Sequence, residues 1–303
     1  MVCSLWSYKR LAQGLLAFLG MVLLLALGAC SMPTAQPKDS ASKLIATNPA
    51  ANPAADPAVD LTGNPRIAAV LAQPPHVLLL GEQHDAPDHP ALHADVVQRL
   101  IASGQLAALV LEMADTGKDT RAVPKTGADA DVQAALAWNT QAWDWSRYAP
   151  SVLAAVRAGV PVLGANLPRS AMDSAMKNSA ARAMFTQANW QKQLQNIRTG
   201  HCDMLPETQI EPMVRVQVAR DASMARALAA HVQNAKTVVL IAGAFHTDEA
   251  LGVPAQLKNS HPGVSVQSIR WPEADTGKDY CAEFRQQMPQ KPQKPQKPQK
   301  PKP

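Results

Sequence analysis

Two stretches of the sequence share a pattern in which an unbroken apolar run ends at a glycine and a histidine follows three residues later. The first runs from His76 to Asp85 as His-Val-Leu-Leu-Leu-Gly-Glu-Gln-His-Asp, and the second from Thr237 to His246 as Thr-Val-Val-Leu-Ile-Ala-Gly-Ala-Phe-His. An apolar run without alternation is typical of a strand buried on both faces, as in parallel sheets. We therefore predict two central strands, with Gly81 letting the chain leave the sheet in a conformation closed to other residues.

The rest of the body alternates further strand and helix patterns. Apolar runs predict additional strands at residues 107–113, 160–166 and 264–269. Helical patterns occupy most of the segments between them, and residues 169–232 show only helical patterns. The predicted fold class is α/β, with a mainly parallel central sheet flanked by helices and a smaller helical subdomain at about 169–232. The predicted domain covers residues 65–285.

Polar side chains follow the predicted strands where each one ends. Because open α/β sheets bind ligands beyond the carboxyl ends of their strands, we expect these side chains to form one crevice. Such a group is suited to binding a divalent metal or to acid–base chemistry. The alternative is that each histidine simply follows a strand exit, but two equivalent instances favour a site. The residues concerned are Glu82, His84, Glu112, Asn166 and His246.

Other residues are candidates for chemistry as well as for packing. His89 and His93 have the helical spacing that metal chelation uses, although His89 also suits a helix cap. Tyr148 lies in a segment with three tryptophans, which is typical of a core or an interface. Tyrosinate is also an axial ligand of ferric haem. Arg220 is suited either to pairing with a neighbour or to holding a carboxylate in the crevice.

The N-terminus has the pattern of a targeting segment. Lys9 and Arg10 precede an apolar run from Leu11 to Leu27, and small residues lead to Cys30. This order predicts a signal peptide over residues 1–29, and the Leu-Gly-Ala-Cys ending resembles the bacterial lipobox, whose cysteine is lipidated. The alternative is a single membrane anchor of roughly 17 residues, which is short for a span. By resemblance to the bacterial sorting rule, Ser31 after the cysteine predicts the outer membrane.

The net charge of +5 is misleading because the cations are segregated. Residues 1–29 hold two cations and 289–303 hold five, so 22 of the 29 remain in the body against 24 acids. A body near −2 with 4% aromatic residues excludes a typical nucleic-acid binder. The segments at about 30–64 and 286–303 are predicted to be a Pro/Ala-rich tether and a disordered Gln-Lys-Pro tail. Cys202 and Cys281 are free to pair in an oxidising compartment, but the sequence leaves this open.

The motifs resemble, in order, those of the ChaN family, haem-binding bacterial lipoproteins of the Tiki superfamily that are regulated by iron. The resemblance covers about residues 65–270. The matching motifs are Leu-Leu-Gly-Glu-Gln-His84-Asp, Leu-Glu112-Met, Gly-Ala-Asn166-Leu-Pro-Arg169, His201-Cys-Asp-Met-Leu-Pro206, Val-Ala-Arg220-Asp-Ala-Ser-Met-Ala and Ala-Gly243-Ala-Phe-His246.

The resemblance implies a homodimer that holds two stacked haems, each bound by a tyrosine. It implies Tyr148 as the axial ligand and His201 and Arg169 as contacts of the propionates. The wider superfamily includes metal-dependent hydrolases with paired Gly-x-x-His motifs. By that likeness Glu82, His84, Glu112, His246 and Arg220 would be catalytic, and His84, His246 and Glu82 would hold a metal.

These expectations give three hypotheses for the function. We predict a haem-binding outer-membrane lipoprotein involved in haem and iron uptake, anchored through Cys30 and serving an outer-membrane haem receptor. Haem is the expected cofactor and no enzymatic turnover is expected. The alternative is a metal-dependent hydrolase that uses the strand-end cluster with a divalent metal. A third possibility is an envelope structural lipoprotein.

Overall fold

The computed structural model describes residues 65–288, and its centre is a five-stranded sheet in which all neighbours are parallel. The strand order is β3-β2-β4-β1-β5, so the two runs that end in Gly-x-x-His are neighbours in the middle of the sheet. Parallel strands place their carboxyl ends at one edge, which brings the polar side chains that follow them together. The strands are β1 (Val77–Glu82), β2 (Leu106–Asp115), β3 (Val162–Asn166), β4 (Thr237–Gly243) and β5 (Val266–Arg270).

Helices cover both faces of the sheet, as a parallel sheet requires. Side chains of β1 alternate between two cores: Leu78 and Leu80 face one, and Val77 and Leu79 face the other. The side chains on both faces of β1 are fully buried, which explains why the apolar run is unbroken. The helices are α1 (Pro65–Ala72), α2 (His89–Ala102), α3 (Asp129–Ala135), α4 (Trp145–Ala158), α5 (Met172–Lys177), α6 (Gln187–Gly200), α7 (Glu207–Ala229), α8 (Val253–Ser260) and α9 (Tyr280–Gln287).

The predicted fold class is confirmed, and the differences are local. α4 begins at Trp145, because the Asp144 side chain accepts a hydrogen bond from the Ser146 amide and caps the helix. This start places Tyr148 on the helix. The C-terminal helix α9 was not predicted, and it extends to Gln287, two residues into the predicted tail.

The reason given for Gly81 was wrong. The described glycines with positive φ are 104, 117, 159 and 277, so Gly81 and Gly243 do not need a left-handed backbone. They are needed for space: a Cβ on Gly81 would lie 2.4 Å from the Thr247 hydroxyl oxygen, and one on Gly243 would lie 2.9 Å from His84 Nε2. Close packing at the strand ends, and not backbone conformation, therefore selects glycine at both positions.

The predictions for the signal peptide, Cys30, the tether and most of the Gln-Lys-Pro tail fall outside the described residues. Within residues 65–288, no helix has the length and apolar character needed to cross a membrane.

Candidate functional site

Glu112, at the carboxyl end of β2, is the centre of the polar cluster. Its Oε2 accepts a hydrogen bond from the Gly243 amide at 2.8 Å and lies 3.8 Å from His84 Nε2. Its Oε1 lies 3.4 Å from His246 Nε2 and 4.0 Å from an Arg220 nitrogen. One buried carboxylate therefore faces both histidines of the paired motifs.

A second carboxylate supports His84 from the other side. His84 Nδ1 is 2.8 Å from Glu82 Oε1, and the same oxygen accepts a hydrogen bond from the Tyr148 hydroxyl at 2.6 Å. The other Glu82 oxygen lies 3.4 Å from His93 Nδ1 on α2 without a hydrogen bond. Through this one oxygen, Glu82 holds both the His84 ring and the Tyr148 phenol in place.

His246 has the matching arrangement on the opposite side of Glu112. Its Nδ1 lies 2.5 Å from Asp221 Oδ1 on α7, and the Gln217 amide is 3.1 Å from the same nitrogen. Asp221 is fully buried, and its Oδ2 has no hydrogen-bond partner among the described residues. Each histidine of the paired motifs is thus held between Glu112 and a second carboxylate.

Asn166 links the cluster to the third strand end. Its Oδ1 accepts from Arg220 Nε at 2.9 Å and from the Leu167 amide at 2.9 Å. This bond orients the Arg220 guanidinium towards Glu112. The structure therefore brings together all five predicted strand-end residues and Arg220.

The close charges determine the protonation states of the cluster. Burial alone would lower the pKa of His246, but Glu112 and Asp221 raise it to about 10. Burial would raise the pKa of Glu112, but the neighbouring cations, led by His246, hold it well below its usual value. Burial raises the pKa of Asp221 to about 6, because it outweighs the attraction of His246.

The histidines next to Glu82 differ in the direction in which their pKa values shift. Burial opposes protonation of His84, yet its hydrogen bond to Glu82 and the charge of Glu112 raise its pKa. Burial would raise the pKa of Glu82, but His84, His93 and Tyr148 lower it. For His93, burial dominates and lowers the pKa to about 4, so this ring is neutral at pH 7. The raised pKa values of the two motif histidines and the lowered pKa values of Glu82 and Glu112 show that these buried groups stabilise each other's charged forms.

The predicted metal site at His84, His246 and Glu82 finds no support in this geometry. Among residues 65–288 no group of three or more His, Cys, Asp or Glu side chains is placed to hold a metal ion. Carboxylates flank both histidines, and Glu82 lies with His84 rather than with His246. His89 and His93 do not form a site together either: both His89 nitrogens are engaged, by the Gln83 amide and the Pro272 carbonyl.

An aromatic group borders the cluster on the Tyr148 side. Trp143 packs against the His84 ring at a centroid distance of 4.8 Å and against Tyr148 at 6.3 Å. Trp138 lies 5.5 Å from Tyr148 and 4.9 Å from Trp145. Trp143 and Trp145 are half-buried, while Tyr148 is only 1% exposed. The carboxyl edge of the sheet therefore presents aromatic surface with the Tyr148 phenol beneath it.

The two residues suggested for propionate contacts lie in different environments. Arg169 is exposed in a short 3-10 helix after β3. His201 is buried at the end of α6, where its Nδ1 lies 2.7 Å from the Ile197 carbonyl and its ring packs on Phe284. Burial lowers the pKa of His201, so its ring is neutral at pH 7.

Asp221 and His93 are the cluster members whose place the sequence analysis missed. Asp221 lies on the buried stripe of α7 with Val214, Val218 and Leu228. A charged residue on an apolar stripe at helical spacing is a signal that it has a buried partner. His93 similarly lies on the buried face of α2.

Comparison with known proteins gives this arrangement a family. Residues 69–257, more than half of the chain, match the family described as "Haem-binding uptake, Tiki superfamily, ChaN". The chain belongs to the ChaN family. The matched range contains the whole charged cluster and the aromatic group, in agreement with the resemblance of the motifs.

Solved structures give further likenesses to this ChaN-family chain. One, described as "Cofacial heme binding to ChaN of Campylobacter jejuni", has a TM-score of 0.58 and 24% identity over 69% of this chain and 86% of its own. It supports the fold. The type III effector HopBA1 has a TM-score of 0.33 and 17% identity over 61% of this chain and 72% of its own, too low to indicate a shared fold. A search of curated protein sequences finds no match.

Replacing Gly243 by alanine is expected to displace His84. The added Cβ would lie 2.9 Å from His84 Nε2 and 3.5 Å from Glu112 Oε2, so the imidazole must move away from residue 243. We expect a loss of about 1–3 kcal/mol in the free energy of unfolding, from overpacking, and a changed chemical shift of the His84 ring by NMR. Gly263→Ala is the matched control, since its Cβ meets no atom within 4 Å. A Gly243→Ala protein with unchanged stability and His84 shifts contradicts this account.

Proposed function

We propose that this protein binds haem. The observation that carries the proposal is its membership, over residues 69–257, of a family described as haem-binding. The solved ChaN structure from Campylobacter jejuni, which has a related fold, is described as binding haem cofacially. The proposal places haem at the carboxyl edge of the sheet, beside the aromatic group.

The side chains at this edge are of the types that bind haem in proteins. Haem iron is held by axial protein ligands that include tyrosine and histidine, and a bound haem would supply a ferric centre there. The half-buried rings of Trp143 and Trp145 offer apolar surface to a planar ligand. Exposed Arg169 is the cation we assign to a propionate.

We assign Tyr148 as the axial ligand of the iron. Its present hydrogen bond to Glu82 must change before it can bind. Its hydroxyl donates to Glu82, and burial with the nearby Glu82 charge raises its pKa well above 10. Binding of ferric iron through Tyr148 therefore requires this hydrogen bond to open and the phenolic proton to leave. Glu82 is the nearest acceptor for that proton.

For the cellular role, we propose an outer-membrane lipoprotein anchored at Cys30 that takes part in haem or iron uptake. The Leu27–Cys30 motif and the word uptake in the family description support it. A homodimer and an outer-membrane haem receptor as partners complete this proposal.

A haem titration tests the proposal directly. Purified protein is titrated with ferric haem and followed by visible absorbance, with Tyr148→Phe in parallel. We expect saturable binding with a tyrosinate-type spectrum, and at least a roughly tenfold loss of affinity with loss of that spectrum in the variant. Tyr280→Phe is the matched control, because Tyr280 is the other described tyrosine and its hydroxyl bonds to Asp85.

The results of this titration distinguish haem binding itself from the assignment of Tyr148 as the ligand. Absence of saturable binding by the unaltered protein would overturn haem binding itself. Tyrosinate-type binding that survives Tyr148→Phe but is lost in Tyr280→Phe would move the ligand to Tyr280.

The metal-dependent hydrolase stays a prediction from the sequence. Glu112 and His246 keep their charges at neutral pH, since the pKa of Glu112 lies well below its usual value and that of His246 is about 10.

A further inference from the structure

A C-terminal segment beyond the family match is attached to the candidate site. We call residues 271–288, which follow β5 and end with α9, the C-terminal strap. It binds the loop that carries His84 on both sides of that residue. The Gln83 side chain makes paired hydrogen bonds with the backbone of Ala274, at 3.0 and 3.3 Å. Asp85 accepts from the Tyr280 hydroxyl at 3.0 Å and from Lys278 at 2.8 Å.

The same strap reaches the other side of the cluster through α9. Phe284 packs on the His201 ring at a centroid distance of 5.7 Å. His201 and Asp221 line a cavity of about 20 Å³ next to His246. The strap therefore contacts residues adjoining both carboxylate–histidine pairs, although it contributes no residue to either.

A disulfide fixes the strap at this position. Cys281, in the first turn of α9, is bonded to Cys202 just after α6, at a sequence separation of 79 and a Cα–Cα distance of 5.6 Å. The sequence left this pair open, and the structure joins it. Both cysteines are half-buried rather than enclosed in the core, and exchange requires a thiolate to reach one of the two sulfurs.

The noncovalent contacts of the strap are its hydrogen bonds to Gln83 and Asp85, one ion pair and the packing of a few side chains. Among its described side chains, Trp271 and Phe284 are the buried ones. A helix of eight residues such as α9 is not stable by itself in water. The Lys278–Asp85 ion pair is partly exposed, and exposed ion pairs contribute little. The disulfide is therefore the principal restraint on α9.

We propose that Cys202–Cys281 is a thiol–disulfide exchange site for a dithiol reductant, and that its reduction releases α9 from the candidate site. One thiolate of the dithiol attacks a sulfur of the bond, the other sulfur leaves, and a mixed disulfide forms. The second thiol of the reductant displaces the protein thiolate. Two electrons and two protons pass to the protein, which then carries two thiols, and the reductant becomes a disulfide. Any effect of release on ligand binding at the His84 edge rests on the proposed haem function.

Hydrogen exchange of the full chain tests the release without any ligand. Amide exchange is followed by mass spectrometry before and after reduction with dithiothreitol. We expect peptides covering 272–287 to exchange at least about tenfold faster after reduction, with a smaller increase at 83–88, while β2 and β4 are unchanged. The Cys202→Ser/Cys281→Ser variant should exchange fast in both conditions and show no response to dithiothreitol.

Two results would overturn the proposal. Unchanged exchange in the strap after complete reduction would show that its noncovalent contacts suffice. Faster amide exchange throughout the chain, including β2 and β4, would show that the disulfide stabilises the whole fold instead of restraining α9 locally. A haem titration of the same two redox forms separates the hypotheses: absence of haem binding in both forms, with the strap responding, overturns the proposed function and leaves the exchange site standing.

Discussion

Removing the central carboxylate is expected to destabilise the fold more than any other single change in the cluster. In Glu112→Ala, His84, His246 and Arg220 lose the buried oxygens that face them, at 3.4 to 4.0 Å. Breaking a buried ion pair from one side costs about 3–5 kcal/mol, because the remaining charges stay buried without compensation. The Gly243 amide also loses its acceptor. The measurement is the free energy of unfolding from urea denaturation at neutral pH.

A matched control separates this effect from the loss of any glutamate. Glu211, whose side chain is exposed, forms an ion pair with the half-buried Arg215 four residues further along α7. Glu211→Ala is expected to cost less than about 1 kcal/mol, as exposed pairs do. If Glu112→Ala falls within the same range, the network around Glu112 does not stabilise the protein and our account of the cluster is wrong.

The second large effect is a loss of stability in the alkaline range. In the folded protein Glu112 and Asp221 overcome the effect of burial and raise the pKa of His246 from 6.5 to about 10. The folded state therefore binds this proton more tightly than the unfolded state does. The resulting stabilisation is complete below pH 6.5 and is lost as the pH rises from 6.5 to about 10. We expect the free energy of unfolding to fall by on the order of a few kcal/mol over this window.

The comparison that isolates His246 is the slope of stability against pH. His84, whose pKa is also raised, contributes in the same direction. Asp221 titrates below the window, with a pKa of about 6. Urea midpoints between about pH 6.5 and 9.5 should fall more steeply for the unaltered protein than for His246→Gln, which has no titratable ring. Equal slopes would show that His246 does not hold its proton in this way.

The predicted elements and the family followed from local patterns in the sequence. The unbroken apolar runs at 77–80 and 237–242 predicted parallel strands, because only a sheet covered on both faces buries every side chain of a strand. Strand direction then placed Glu82, Glu112, Asn166 and His246 at one edge. The short helix α9 was not predicted.

Tertiary structure alone decided which partner each polar group has. His246 pairs with Asp221 across 25 residues of sequence, and Tyr148 bonds to Glu82 across 66. Such partners depend on how α7 and α4 pack on the sheet, and no local pattern specifies them. The same holds for the Cys202–Cys281 bond and for the docking of the C-terminal strap. The sequence thus determined the fold, the family and the edge where the chemistry lies, whereas packing determined the charge states and buried the Tyr148 phenol, because both depend on distances between elements remote in the chain.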